Sequence, residues 1–182
     1  SPRTRSSCET GNTTFTVGAG VTTSPTFQWQ VSTNGGVSYV NVVDGGIYSG
    51  ATTATLTLTA APLANNGNLY RAVINGTCSP SATSDGGLLT VNAAPVIGTQ
   101  ASNAIVCEDG TTGFTVSATG TGLTYQWREN GSNISDGGVY SGATTSTLSL
   151  TGVTSAFNGR NYSVVITGTC SNVTSGNGSL TI

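Results

Sequence analysis

Apolar and polar side chains alternate with a period of two along most of this chain. In the first half Thr14-Phe15-Thr16-Val17, Phe27-Gln28-Trp29-Gln30-Val31 and Thr55-Leu56-Thr57-Leu58-Thr59 alternate. In the second half Gly113-Phe114-Thr115-Val116, Tyr125-Gln126-Trp127-Arg128 and Thr147-Leu148-Ser149-Leu150-Thr151 do the same. Tyr70, Ala72 and Ile74, and later Tyr162, Val164 and Ile166, fall on one face of a further strand. Successive side chains of a strand point to opposite faces, so this period predicts strands with one buried and one wet face. Gly, Asn, Asp and Ser punctuate the runs as turns, and no stretch has helical periodicity over a useful length.

The pattern is written twice. Asp44 to Thr59 reads DGGIYSGATTATLTLT, and Asp136 to Thr151 reads DGGVYSGATTSTLSLT. Cys8 matches Cys107, Trp29 matches Trp127, Tyr48 matches Tyr140, Tyr70 matches Tyr162 and Cys78 matches Cys170. The offset falls from 99 at the cysteines before the block to 92 within and after it. The first copy therefore carries extra residues, mainly in VSTNGGVSYVNVV, which faces the shorter RENGSNIS. A repeat of this length defines the folding unit. It predicts two β-domains, 1–92 and 95–182, joined by a short segment around Pro95 that reads as a semi-rigid link between modules placed end to end. The first copy opens on SPRTRSS where the second has Ala104-Ile105-Val106, so it is expected to lack an apolar first strand of its own. A fragment boundary, or a groove for a strand from another chain, would account for that.

Composition narrows the function. Only 7% of the 182 residues are charged, the net charge is −2, and all five basic residues are Arg. No basic stripe is present to hold a nucleic acid, and no run approaches the ~20 apolar residues of a membrane span. Without His or Lys the usual general base and amine nucleophile are missing, and Glu129 has no second carboxylate placed to partner it. The reading is a non-enzyme with no cofactor and no metal. Asp44-Gly45-Gly46 and Asp136-Gly137-Gly138 read as turns and not as half of a Ca²⁺ loop, since each supplies one carboxylate. Glu108-Asp109-Gly110 reads likewise. Trp29 and Trp127 lie on strands and read as core residues. Tyr39 and Tyr48 fall in the loop-rich part and are the candidates for an exposed aromatic contact to a ligand.

The Trp on a third strand and the later Gly-x-x-Tyr strand resemble the immunoglobulin sandwich. More specifically, CETGNTTFTV and CEDGTTGFTV, FQWQ and YQWR, the duplicated block, and VINGTC and VITGTC resemble the Ig-like repeats of large secreted surface proteins from Bacteroidota. The resemblance implies an all-β fold of two tandem antiparallel sandwiches in an extracellular, structural or adhesive protein. Its partners would be neighbouring Ig-like modules or identical subunits, head to tail. The alternative it leaves is a glycan- or protein-binding accessory module of a secreted enzyme.

Two cysteines per copy, at matched positions, read as a disulfide framework in an oxidising compartment. One pairing is Cys8–Cys78 with Cys107–Cys170, inside the modules. In an immunoglobulin sandwich, however, those partners sit at opposite ends of strands about 17–20 Å long. A disulfide needs Cα atoms about 4.4–6.8 Å apart. The other pairing joins Cys8 to Cys170 between modules and leaves Cys78 and Cys107 for outer neighbours.

Overall fold

The computed structural model describes every residue except 78 and 79. It contains two compact units, Ser1–Asn92 and Ala93–Ile182. The first consists of β1 (Arg5–Cys8), β2 (Thr13–Thr16), β3 (Thr26–Ser32), β4 (Val40–Asn41), β5 (Tyr48–Ser49), β6 (Thr55–Leu58), β7 (Leu69–Asn75), β8 (Ala82–Thr83) and β9 (Gly87–Asn92). One sheet runs β1-β9-β7-β3-β4, with β8 also on β7, and the facing sheet runs β2-β6-β5. The second unit consists of β10 (Val96–Thr99), β11 (Ala104–Ile105), β12 (Gly110–Thr115), β13 (Ser117–Thr119), β14 (Thr124–Glu129), β15 (Ser132–Asn133), β16 (Tyr140–Ser141), β17 (Thr147–Val153), β18 (Asn161–Thr167), β19 (Asn172–Thr174) and β20 (Gly178–Thr181). Its sheets run β11-β20-β18-β14-β15, with β19 on β18, and β12-β17-β16, with a separate β10-β13 pair.

The alternating runs supply the strands, and their apolar faces meet between the sheets. Phe15, Trp29, Leu56, Leu58, Tyr70 and Ala72 are fully buried in the first unit, as are Trp127, Leu148, Leu150, Tyr162, Val164 and Ile166 in the second. Each indole N–H is satisfied by a backbone carbonyl across the core. Trp29 Nε1 donates to Thr53 O and Trp127 Nε1 to Thr145 O, both at 2.9 Å. From one sheet to the other, Phe15 stacks on Tyr70 with centroids 4.9 Å apart, and Phe114 on Tyr162 at 4.7 Å. Glycine makes room for these stacks. A Cβ on Gly178, which pairs with Tyr162 across the strands, would lie 2.8 Å from the Phe114 ring and 2.6 Å from Ser102 O.

The duplicated block builds one turn twice. Asp44 Oδ1 accepts from Ala51 N and Asp136 Oδ1 from Ala143 N, both at 2.7 Å, so each carboxylate closes its own loop as the turn reading expects. A Cβ at Gly50 or Gly142 would lie 2.3 Å from the carbonyl oxygen of Thr55 or Thr147, which makes glycine obligatory there.

Two of the differences between the copies bear on the strands expected from sequence. The first unit has no apolar first strand, as its opening residues suggest, but an edge strand of mostly polar residues takes that place. β1 pairs in parallel with β9, from Arg5↔Leu89 to Cys8↔Asn92. Backbone pairing needs no apolar side chain, and Arg5 Nε fastens the strand further by donating to Thr14 O at 2.8 Å. The other divergence follows the Trp strand. In the second unit Asn130 and Gly131, at φ 48° and 86°, make a two-residue hairpin between β14 and β15. Asn-Gly suits a turn that needs positive φ at both positions. In the first unit the longer loop is knotted by its own side chains, with Ser32 Oγ donating to Asn34 Oδ1 and Asn34 Nδ2 to Ser38 Oγ.

Gly178→Ala forces a methyl group into the Phe114 ring and a backbone oxygen, so it should cost the second unit about 1–3 kcal/mol by overpacking. Phe114→Ala should cost about 3–5 kcal/mol. Urea unfolding followed by tryptophan fluorescence, with Trp29 and Trp127 reporting one unit each, should show only the Trp127 transition shifted.

Candidate functional site

The cysteines lie where the strands begin and end. In the second unit β11 runs beside β20, with Ala104↔Leu180 and Ile105↔Thr181, and Val106 N donates to Thr181 O. Cys107 therefore sits at the finish of β20. β20 is antiparallel to β18, pairing Ser179 with Asn161, so this is the end at which β18 starts. Cys170 follows β18 at its other end. The seven residues of β18 span about 23 Å at ~3.3 Å per residue. No disulfide bridges that distance. Accordingly Cys107 is an exposed free thiol, whereas Cys8 and Cys170 are both disulfide-bonded. The expected Cys107–Cys170 pair inside the second module is thus corrected: strand length keeps its members apart. The Cys8–Cys78 pair falls on Cys78, which lies outside the described residues.

Above each core a tyrosine pair closes the open end of the sandwich. Tyr48, expected as an exposed contact residue, turns inward instead. It packs on the core, with its hydroxyl 3.1 Å from that of Tyr70 and 3.2 Å from Asn65 Nδ2. Burial, and then the bond to Tyr70, pushes the Tyr48 phenol well above its ordinary value of 10.0. The Gly-x-x-Tyr turn thus ends in a side-chain cluster around Tyr70.

The second unit carries a charged version of this cap. Tyr140 and Tyr162 both donate to Glu129 Oε2, the latter at 3.0 Å. Arg160 Nη1 meets Glu129 Oε1 at 2.6 Å while its guanidinium lies 4.1 Å from the centre of the Phe157 ring. Burial is the main cause of the raised phenol values of Tyr140 and Tyr162, and the bond to Glu129 adds to it in both, while the bond to Tyr162 works the other way on Tyr140. Glu129 and Arg160 do not stand out as a pair by spacing. They stand where the first copy has Val31 and Asn68, and that joint exchange to opposite charges was the readable signal.

Tyr39 keeps part of its surface. It is half-buried beneath Arg71, whose guanidinium carbon is 3.7 Å from the ring centre, and Arg71 Nε donates to Gln30 Oε1. Val37, Val40 and Val43 of the same insertion are exposed. Among the described residues no pocket is formed, and no three metal-ligating side chains converge.

Solved structures match this architecture. An I-band fragment of titin aligns with a TM-score of 0.74 at 15% identity, covering 99% of this chain and 62% of that one. The chain is a tandem pair of immunoglobulin-like domains. Extracellular domains 3–5 of Drosophila OTK give a TM-score of 0.66 at 14% identity, with coverages of 99% and 59%. The N-terminal four Ig domains of a Dscam1 isoform give 0.57 at 19%, with 98% and 43%. The pair thus spans less than two thirds of each of these chains. Neither a family model nor a curated protein matches it.

The tyrosine caps make a pH prediction. A phenol whose folded value is raised holds its proton where the unfolded chain has lost it. Its contribution is complete below pH ~10 and is lost as pH rises beyond that. Tyrosinate absorbance should therefore lag in the native protein, and stability in urea should fall steeply above pH ~10. Tyr140→Phe with Tyr162→Phe should soften that slope. Arg160→Ala, which leaves Glu129 uncompensated, should cost the second domain about 1–3 kcal/mol, read in the same urea assay at neutral pH.

Proposed function

We propose that this tandem is a non-catalytic structural repeat of an extracellular protein or filament, joined end to end and reinforced by disulfides. The observation that carries the reading is the oxidation of Cys8 in one domain and Cys170 in the other, beside a reduced Cys107. With Cys107 unbonded, the favoured connectivity is Cys8–Cys170, a staple from domain to domain. Such a bond belongs to an oxidising compartment, which supports secretion to a cell surface, and the resemblance to Bacteroidota surface repeats points to a bacterial one. The role is mechanical. Paired sheets resist extension, and a covalent loop that encloses most of the chain limits what force can unravel.

The binding-module alternative has one observation of its own, the first domain's insertion with Tyr39, Arg71 and three exposed valines. A glycan array without hits removes its glycan form.

Single-molecule stretching tests the mechanical reading. With Cys8 bonded to Cys170 only the two short ends pay out, roughly 65 Å of contour at ~3.3–3.6 Å per residue. Pairs inside the domains would release roughly 160 Å, and full reduction roughly 600 Å. The staple predicts the first value before reductant and the last after it. A non-reducing peptide map that finds Cys8 linked to Cys78 contradicts it.

A further inference from the structure

β4 is the outermost strand of the first domain's larger sheet, and among the described residues no strand lies beyond it. Its register fixes what it leaves open. Val42 N donates to Trp29 O, so Val42 and Trp29 form a hydrogen-bonded pair. Such pairs alternate along an antiparallel ladder, and the next pair, Gln30↔Asn41, is therefore the open kind. The backbone N–H and C=O of Asn41 point away from β3 and out of the sheet. The second domain builds the same edge. Ile134 N donates to Trp127 O, and Gln126 Nε2 donates to Ile134 O as Gln28 Nε2 does to Val42 O. The side chains differ. Where the second domain has Gly131, Ser132 and Ser135, the first has Tyr39, Val40 and Val43. Val40 and Val43 are 64% and 76% exposed, so the exchange serves no core. Natural sheets close such edges with a charge, a proline or a bulge, and the stretch from Ser38 to Val43 carries none of them. The carboxylate that follows, Asp44, is turned back onto Ala51 N.

We propose that this edge pairs antiparallel with the same edge of a second copy of the chain, about a two-fold axis at Asn41. The pattern of the edge selects that occupant. A two-fold contact sets residue i against residue j and j against i. Centred on Asn41, it sets Asn41 opposite Asn41 of the second copy, Val40 opposite Val42, and Tyr39 opposite Val43. Tyr39 and Val43 share a face of the strand with Asn41, and an aromatic ring against a β-branched side chain is a favourable cross-strand pair. The edge is thus its own complement. The side chain at the axis is an uncharged amide, so no like charges face each other there. Arg71 is held on the sheet and not at its edge, by the Tyr39 ring at 3.7 Å and by Gln30 Oε1 at 2.9 Å. Pairing makes the two larger sheets one continuous sheet across two molecules. The contact is lateral and does not rest on the end-to-end staple.

The test is sedimentation velocity of the intact chain over a concentration series, with free thiols blocked by iodoacetamide so that no disulfide joins two copies. An edge this short buries less than the ~1,200 Å² of a standard interface, so the dimer should form with a Kd of roughly 0.1–1 mM. The wild type should pass from 18.1 kDa to twice that mass as concentration rises through this range. Asn41→Lys and Asn41→Glu each set like charges against each other at the axis and should weaken the dimer more than ~10-fold. Their equimolar mixture should dimerise again, because Lys then faces Glu. Asn133→Lys, on the matching edge of the second domain, should behave as the wild type. Amide NMR spectra of each variant check that the first domain is folded. A wild type that stays monomeric throughout overturns the proposal, as does a dimer that both Asn41 variants retain, or a mixture of the two folded variants that stays monomeric. A monomeric wild type held on a glycan array through Tyr39 overturns it in favour of a sugar as the occupant.

Discussion

One phenylalanine ring from one sheet lies flat against one tyrosine ring from the other, and each domain depends on that stack. The contact is made at 4.9 Å by Phe15 and Tyr70 and at 4.7 Å by Phe114 and Tyr162, with a buried Trp tilted beside each. In antibody domains a disulfide crosses between the sheets in this region and the Trp packs on it. Here the crossing is aromatic. Such a pair contributes about 0.5–1.5 kcal/mol beyond the area it buries, against about 2–4 kcal/mol for a typical disulfide. The fully buried Trp, Leu and Tyr side chains around it make up much of the difference. The consequence reaches beyond the core. Among the described residues no cysteine lies between the sheets, and Cys107 stands exposed where β20 finishes.

The aromatic frame also explains what the repeats are free to vary. Above the stack the first domain closes its end with Asn65 and two phenols, while the second uses a carboxylate, a guanidinium and two phenols. Each network gives its tyrosine hydroxyls partners, so either is tolerable beside a dry core. The loop after the Trp strand varies as freely, from a two-residue Asn-Gly hairpin to an insertion laced by its own hydrogen bonds. At the cap the change meets the hydroxyls of Tyr70 and Tyr162, yet both rings keep their stack on the facing Phe.

Much of this was legible in the chain. Period-two runs placed the strands, the duplicated block set the unit, and Asp44 and Asp136 are the turn formers their Gly-Gly neighbours suggest. What was missed depends on register. Tyr48 looks like a loop residue by its Gly and Ser neighbours, yet its pairing with Leu58 turns it toward Tyr70. Glu129 meets Tyr162 because β14 and β18 align them, and no spacing along the chain announces that. β1 forms from Arg and Ser because a parallel partner asks only for backbone groups. The objection to pairing Cys107 with Cys170 rested on strand length, a local property, and strand length is what separates them.

Both sandwiches stand on aromatic packing and need no disulfide to stay folded. The direct measurement is a two-dimensional amide NMR spectrum of the intact chain before and after full reduction of its disulfides. The dispersed β-sheet resonances of both domains should persist, with shifts confined to residues around Cys8 and Cys170. Collapse of either domain's resonances to the random-coil region on reduction would contradict it.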